Sequence, residues 1–123
     1  YTILDLKKKG KDLKQYMNQL EEIAIRFLQQ YGILSSRNPG KIGVWVGAEK
    51  IVSIGVGVKK WVTFHGLGIN INTDLELFSL INPCGLGVRM TSVKKIKAAV
   101  VDLKKAKEDF SAVFLQHFEA MNR

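Results

Sequence analysis

The sequence has very few of the residues that cross-link a chain or bind a metal. It contains one cysteine, Cys84, and two histidines among 123 residues. An intrachain disulfide is therefore excluded, and a lone thiol is typical of a reducing compartment. The spaced cysteine and histidine pattern of a zinc site is also absent from the sequence. The thiol of Cys84 therefore needs another explanation.

Long apolar runs are missing as well. No stretch approaches the roughly 20 apolar residues that a membrane-spanning helix needs. The first residues, Tyr1 to Lys9, lack the apolar segment and cleavage site of a signal peptide. Hydrophobic residues make up 46% of the chain and charged residues 24%, which is ordinary for a globular protein. We expect a single cytoplasmic domain over residues 1–123, without a membrane partner.

Acidic residues are outnumbered, with 11 Asp and Glu against 19 Lys and Arg, so the net charge is +8. The lysines form an N-terminal and a C-terminal group: Lys7, Lys8, Lys9, Lys11 and Lys14, then Lys94, Lys95, Lys97, Lys104, Lys105 and Lys107. A basic surface favours an acidic partner, either nucleic acid or an acidic carrier protein. Solvated helix surfaces without a partner are the simpler alternative. The lack of aromatic residues among these lysines counts against nucleic acid.

The apolar spacing predicts two long helices, over residues 13–31 and from about 95 to 121, and a short one over 75–80. Asp12 is the predicted N-cap of the first helix and Gly32 its stop. Residues 1–6 are typical of a strand already in progress and are not preceded by an initiator Met. We therefore expect the chain to be a piece of a longer protein.

Three strands are predicted at roughly 42–47, 50–58 and 61–72, with Lys59-Lys60 as a hairpin turn that pairs Val58 with Trp61. One face of the hairpin is then apolar: Val52, Ile54, Val56, Val58, Trp61, Thr63, His65, Leu67, Ile69 and Ile71. The other face carries Ser53, Gly55, Gly57, Gly66, Gly68, Asn70 and Asn72, together with Ile51, Val62 and Phe64. Glycine inside a strand often marks the close approach of a ligand. We interpret the second face as a groove floor, with sheet curvature as the alternative.

Four side chains are candidates for chemistry. Cys84 lies in a predicted loop, where a nearby cation would lower its pKa from about 8.5 and make it reactive; an inert buried cysteine is the alternative. Lys50 begins a strand on the apolar face, where a lysine either extends to the sheet edge or is held in a site. His65 is predicted to be a hydrogen-bonded core residue, and His117 to lie on the surface of the last helix.

A series of motifs in a fixed order resembles the octanoyl-acyl carrier protein:protein N-octanoyltransferase family, also called lipoate–protein ligase B. The motifs are Gly43-Val44-Trp45-Val46, Lys50-Ile51, Ser53-Ile54-Gly55-Val56, Trp61-Val62-Thr63-Phe64-His65-Gly66, Asn70-Ile71-Asn72-Thr73-Asp74-Leu75, Phe78, Pro83-Cys84-Gly85 and Met90-Thr91-Ser92-Val93. The resemblance extends from residue 1 to about residue 93. The family's Arg-Gly-Gly and Tyr-His-Gly-Pro-Gly-Gln segments, which precede the position matching Tyr1, are not in this sequence.

The resemblance implies roles for particular residues. Cys84 matches the nucleophile that carries the acyl group as a thioester, and Lys50 matches the lysine that lowers its pKa. Two stretches match substrate contacts: Ser53, Ile54 and Gly55, then Gly66, Leu67 and Gly68. The implied fold is α+β, a mixed sheet flanked by helices as in biotin and lipoate ligases and related to class II synthetases, here incomplete at its N-terminal side.

The resemblance also implies a reaction. An octanoyl group moves from acyl carrier protein to Cys84, and then to a lysine of lipoyl domains in 2-oxoacid dehydrogenases and in the glycine cleavage H protein. No metal, ATP or other cofactor, and no nucleic acid, is implied. One alternative is an inactive truncated domain that acts as a basic binding module. Another is an ATP-dependent ligase of the same fold, which needs an adenylate-forming motif that the sequence lacks.

Overall fold

The structure, a computed structural model, describes residues 1–8, 10–76 and 89–121. Its elements are a 3-10 helix at Leu6–Lys8, α1 (Leu13–Gln30), β1 (Val44–Val46), β2 (Glu49–Lys59), β3 (Val62–Ile69), α2 (Val93–Lys97) and α3 (Leu103–Met121). Cys84 lies outside the described residues, and so does most of the short helix predicted over 75–80. Among the helices described, none is long and apolar enough to cross a membrane.

Helix α1 forms where its sequence predicts it. The Asp12 side chain accepts a hydrogen bond from the Gln15 N–H at 2.9 Å and so caps the helix. Gly32 follows the last turn with a φ of 72°, a conformation that glycine adopts without strain. One side of α1 is fully buried and forms the centre of the core: Tyr16, Leu20, Ile23, Ala24, Phe27 and Leu28.

The three strands form an antiparallel sheet in the order β1-β2-β3. The hairpin turn differs from the predicted one: Lys59 pairs with Val62, so the turn is Lys60-Trp61. Both turn residues have positive φ, 51° and 65°, as a tight two-residue turn requires. The prediction placed the turn one residue early because neither Lys60 nor Trp61 is a residue that normally marks such a turn.

The two faces of the hairpin are as predicted from Val52 onwards, but Ile51, predicted on the second face, is buried in the core, where the register of β1 against β2 shifts. Each residue of β2 pairs two positions further along β3 than predicted. Because side chains alternate with a period of two, a displacement of two keeps the same residues on each face. Ile54, Val56, Leu67 and Ile69 are partly buried and pack against the core. The prediction for His65 was wrong: its side chain is exposed. His65 has a φ of 63°, and its ring lies near Tyr1 and Phe64 instead of in the core.

Residues 1–6 run along the free edge of β3. The Thr2 N–H donates to the His65 carbonyl at 3.0 Å, the Thr63 N–H donates to the Leu4 carbonyl at 2.9 Å, and a bridge joins Asp5 to Val62. The segment therefore has the hydrogen bonds of the predicted strand, although it bends into the 3-10 helix at its end. The Tyr16 hydroxyl donates to Thr2 Oγ1 at 2.9 Å and ties the segment to α1.

The long helix predicted from about residue 95 is in fact two helices. Ala98 has a φ of 54° and ends α2. The Asn72 side chain then pairs with both backbone groups of Val101, at 2.7 and 2.9 Å, which holds residue 101 outside a helix. The Asp102 carboxylate accepts from the N–H groups of Lys104 and Lys105 and starts α3. The apolar periodicity continues across the break between α2 and α3, so the sequence pattern did not predict the break.

Helix α3 packs against α1 through aromatic contacts. The Phe27 and Phe110 rings lie 5.7 Å apart, and the Tyr16 and Phe118 rings 6.1 Å apart. His117, predicted to be on the surface, is half-buried, and its Nε2 has no hydrogen-bond partner among the described residues. Burial and, to a lesser extent, the nearby Arg26 charge lower the pKa of His117.

The hairpin turn leads to a stability prediction. Asparagine adopts positive φ more readily than lysine, so Lys60→Asn should stabilise the protein by about 0.5–1 kcal/mol. The measurement is the midpoint of urea unfolding. Lys59→Asn is the matched control, since Lys59 lies in the strand and should gain nothing. Equal midpoints for the two variants would contradict the observed turn.

Candidate functional site

The structure pairs the two predicted substrate-binding stretches with each other. Ser53 lies opposite Gly68, Ile54 opposite Leu67, and Gly55 opposite Gly66. Directly opposed residues in antiparallel strands have Cβ positions about 4.5–5.5 Å apart. Six predicted site residues from two separate motifs are therefore neighbours on adjacent strands. The observed turn at Lys60-Trp61 produces this alignment, which the predicted turn would have displaced.

One face of this paired segment is almost free of side chains. We call it the bare face; it carries Ser53, Gly55, Gly66 and Gly68. At Gly55 and Gly68 an added Cβ would meet no atom within 4 Å among the described residues, and neither glycine has a positive φ. These two glycines are therefore not required by their own backbone or by described neighbours. Their lack of side chains leaves space above the sheet.

The bare face ends at an aromatic side chain towards the hairpin turn. Gly57 pairs with Phe64, and an added Cβ at Gly57 would overlap the Phe64 ring. The Phe64 side chain is also 43% exposed. An apolar wall therefore stands at one end of an open strip of backbone, which is a suitable surface for an acyl chain.

Gly66 has a different structural reason. Its φ is 149°, and an added Cβ would lie 2.6 Å from Thr2 Oγ1 and 3.1 Å from the Thr2 nitrogen. Gly66 is therefore required for residues 1–6 to lie against β3. Of the glycines on the bare face, it is the one with a clear packing function.

Ile54 and Leu67 point to the other side of the sheet, where they pack against the core. Leu67 also lines an apolar cleft of about 740 Å³ between the sheet and α3. Phe110, Phe114 and Leu115 contribute from α3, and Tyr1 and Ile3 from the chain start. Any contact of Ile54 or Leu67 with a ligand on the bare face would therefore use the backbone.

Lys50 occupies a half-buried position at the start of β2. Its ammonium lies 5.4 Å from the centre of the Trp45 ring, a distance at which a cation and an aromatic face attract. Its N–H donates to the Arg89 carbonyl at 2.7 Å, and its carbonyl accepts from the Thr91 N–H at 2.8 Å. Over residues 1–8, 10–76 and 89–121, no carboxylate forms an ion pair with this ammonium.

The contacts that surround Lys50 were not predicted from the sequence. Gly43 packs against its side chain, and the Gly43 N–H donates to Glu21 Oε2 at 3.0 Å. Glu21 is 5% exposed and also pairs with Arg37 at 3.4 Å. A signal was present, since Glu21 follows Leu20 directly and precedes Ile23 within the apolar part of α1. A carboxylate at such a position is expected to have a specific partner.

The basic groups divide between structural and exposed roles. Lys95 pairs with Glu49, Lys105 with Asp109, and the Lys97 ammonium donates to the Tyr31 carbonyl. Lys94 and Lys104 are exposed and have no ion pair within the part of the chain described. Part of the C-terminal group therefore has a partner within the fold, and Lys94 and Lys104 remain available for an acidic partner.

Comparison with known proteins gives a consistent family. Residues 1–118 match the lipoyl protein ligase A/B catalytic domain. An octanoyltransferase of Thermoanaerobacter sp. (strain X514) is 45% identical over 123 residues, which cover 96% of this chain and 54% of that protein. An octanoyltransferase of Caldicellulosiruptor saccharolyticus is 44% identical over 130 residues, which cover 100% of this chain and 55% of that protein. The chain spans about half the length of the curated relatives it matches.

Solved structures of other proteins have a fold similar to that of this chain. The apo structure of biotin protein ligase from Aquifex aeolicus matches with a TM-score of 0.76 and 19% identity, over 95% of this chain and 50% of that one. Lipoate-protein ligase A bound with ATP matches with a TM-score of 0.70 and 15% identity, over 88% of this chain and 47% of that one. The expected α+β fold of biotin and lipoate ligases is thus confirmed.

The glycines of the bare face should respond differently to alanine. Gly68→Ala should leave the free energy of unfolding within about 0.5 kcal/mol, because the new methyl group meets open space. Gly66→Ala should lower it by about 1–3 kcal/mol, because the backbone is strained and Thr2 is displaced. Urea unfolding of both variants measures the difference. Equal losses of stability in the two variants would contradict the difference between the open space at Gly68 and the close contact of Gly66 with Thr2.

Proposed function

We propose, because this chain belongs to the lipoyl protein ligase A/B catalytic domain family, that it forms part of an octanoyltransferase. The proposed reaction transfers an octanoyl group from acyl carrier protein to a lysine of a lipoyl domain. Identities of 44–45% to octanoyltransferases over nearly the whole chain support this activity over that of an ATP-dependent ligase. In this proposal, residues 1–123 are one part of a single catalytic domain that continues on the N-terminal side.

The observation that carries the proposal is the residue-by-residue pairing of Ser53, Ile54 and Gly55 with Gly68, Leu67 and Gly66. Two motifs with no local reason to share a site form one continuous surface. Among residues 1–8, 10–76 and 89–121, nothing covers this surface at Gly55 and Gly68, and Phe64 forms an apolar wall at one end. Lys50 begins the same strand three residues before Ser53. The register of β1 against β2 shifts between these residues, since Val44 pairs with Val52 but Trp45 with Lys50, and this shift interrupts the alternation that would otherwise place Lys50 and Ser53 on opposite faces. In this proposal the surface and the lysine therefore belong to one site on one strand.

The chemistry that we propose proceeds in two steps. The Cys84 thiolate attacks the carbonyl carbon of the carrier thioester, and the carrier thiolate leaves and takes up a proton. The ε-amine of the acceptor lysine then attacks the Cys84 thioester, loses a proton and releases the Cys84 thiolate. The arriving thioester is already activated, so the sequence needs no ATP. Formation of the amide makes the second step favourable.

Lys50 has the properties that this mechanism requires. A lysine ammonium close to a thiol stabilises the thiolate and lowers the thiol pKa from about 8.5. Lowering it to near 7 requires about 2 kcal/mol of differential stabilisation. The Lys50 ammonium has no carboxylate partner in the described chain, so its charge is not already neutralised. In the sequence, Cys84 precedes Arg89, whose carbonyl binds the Lys50 backbone, by five residues.

The acyl chain provides much of the substrate affinity in this proposal. Burying the seven methylene and methyl groups of an octanoyl chain contributes at most roughly 5–6 kcal/mol, at about 0.8 kcal/mol each. A floor of glycine backbone lets the chain lie close to the sheet, and the Phe64 ring closes one end. The exposed lysines Lys94 and Lys104 are suited to acidic carrier and acceptor domains in the cytoplasm.

Replacement of the nucleophile is the first test of the proposed function. In the longer protein to which we assign this chain, Cys84→Ser should abolish octanoyl transfer, because a serine hydroxyl is not ionised near neutral pH. Mass spectrometry after incubation with octanoyl-acyl carrier protein should find one octanoyl group on the native protein and none on the variant. Full turnover by the Cys84→Ser protein would refute the assignment.

Filling the bare face is the second test. Gly68→Val should lower kcat/KM for octanoyl transfer at least tenfold while the melting temperature changes little, because the side chain enters the proposed acyl site and not the core. Leu115→Glu is the matched control, since Leu115 lines the apolar cleft on the opposite side of the sheet. If Leu115→Glu lowers the rate and Gly68→Val does not, the acyl chain lies in the cleft and this part of the proposal is wrong.

A further inference from the structure

We propose that Glu21 and Gly43 are positioning residues that hold the Lys50 side chain in its working orientation. The inference rests on the proposed role of Lys50 in the acyl transfer. It adds to that role a reason for the orientation of the ammonium. Helix α1 provides this reason through the contact of Glu21 with Gly43.

Glu21 is an unusual residue for its position. It is 5% exposed and lies beside the buried Leu20 and Ile23 on α1. A buried carboxylate is destabilising unless hydrogen bonds and an opposite charge compensate it. Glu21 has one of each: Oε2 accepts from the Gly43 N–H at 3.0 Å, and Oε1 lies 3.4 Å from Arg37 Nε. Glu21 therefore connects α1 to the backbone just before β1.

Gly43 is glycine for two separate reasons. Its φ of 135° is a conformation that residues with a side chain rarely adopt. An added Cβ would also lie 2.6 Å from Lys50 Cε, 3.3 Å from Lys50 Nζ and 2.7 Å from the Val52 carbonyl oxygen. The Lys50 side chain therefore occupies the space that a larger residue at position 43 would fill.

The other side of Lys50 is bounded as well. Its ammonium lies 5.4 Å from the centre of the Trp45 ring, and Trp45 is almost fully buried. Both of its backbone groups bond to one neighbouring segment, the N–H to the Arg89 carbonyl and the carbonyl to the Thr91 N–H. The side chain thus lies between Gly43 and Trp45, which belong to one short stretch of backbone. The Glu21 carboxylate fixes the Gly43 end of that stretch.

This arrangement matters because a lysine side chain is long and flexible. Confining it to one orientation before the reaction removes an entropic cost from the catalytic step. Losing the Glu21 hydrogen bond would release Gly43, widen the space beside Trp45 and let the ammonium move. Among the described residues no hydrogen bond or ion pair joins Glu21 to Lys50, so in this proposal Glu21 acts through Gly43.

The test observes Lys50 directly in the 123-residue chain labelled with carbon-13 lysine. The Trp45 ring should shift the Lys50 ε-methylene proton signal upfield in NMR spectra, and Lys50→Arg identifies that signal by its loss. In Glu21→Ala the signal should move to the position of a free lysine. Glu21→Gln retains an acceptor for the Gly43 N–H and should restore most of the upfield shift.

Two further variants make this result specific. Glu22→Ala is the matched control, since Glu22 also pairs with Arg37 but its side chain is 37% exposed, against 6% for that of Glu21. It should leave the Lys50 signal unchanged. If Glu21→Ala does not fold, Glu21→Asp withdraws the carboxylate by one methylene group while keeping its charge, and should give a partial shift. An unchanged Lys50 signal in a folded Glu21→Ala or Glu21→Asp protein overturns the proposal.

A second measurement separates this inference from the proposed function. Cys84 is the sole cysteine of the chain, so the pH profile of alkylation by iodoacetamide reports on one thiol. Lys50→Met should raise the midpoint by about one unit, a tenfold loss of thiolate below the midpoint, and Glu21→Ala should raise it by less. An unchanged midpoint in Lys50→Met refutes the role of Lys50, while the NMR signal still decides the role of Glu21.

Discussion

The register of the β2–β3 hairpin is the constraint on which the candidate site depends. The turn at Lys60-Trp61 sets every pair along the two strands, and it does so with two residues held at positive φ. A slip by one residue in one strand would move its glycines to the core side of the sheet and its apolar side chains into solvent. The core therefore enforces the same register that opens the bare face. Stability and site geometry are coupled through a single backbone alignment.

The sequence was sufficient for those parts of the fold in which one periodic signal dominates. The apolar face of α1 and the alternation along β2 and β3 predicted the buried sides correctly, because burial follows the period of the element. It was insufficient where a single residue acts through a distant partner. Asn72 ends the long helix by binding Val101, and the unusual backbone at His65 and Gly66 accompanies the docking of Thr2. Neither contact is visible in a local pattern.

The candidate site shows the same division. Motif resemblance predicted roles for Lys50 and for the two stretches that pair across the hairpin. It did not point to Glu21, which lies 29 residues before Lys50 and is connected to it through Gly43. A residue that acts through the backbone of another residue has no fixed spacing from its target in the sequence. The spacing depends on how the helix packs against the sheet, which no local pattern encodes. A buried charge within an apolar stripe is the remaining sign, and its meaning requires the structure.

The attachment of Thr2 has a consequence for how the chain acquires its structure during synthesis. Thr2 leaves the ribosome among the first of these residues, yet its hydrogen-bond partner in β3 is His65. The hydrogen bond between Leu4 and Thr63 spans 59 positions. The start of the chain must therefore remain unpaired until the whole hairpin has emerged, and contacts so distant in sequence form slowly. Leu6 is buried in the folded chain and Leu4 packs against the core, so both apolar side chains are uncovered during this interval and can promote aggregation.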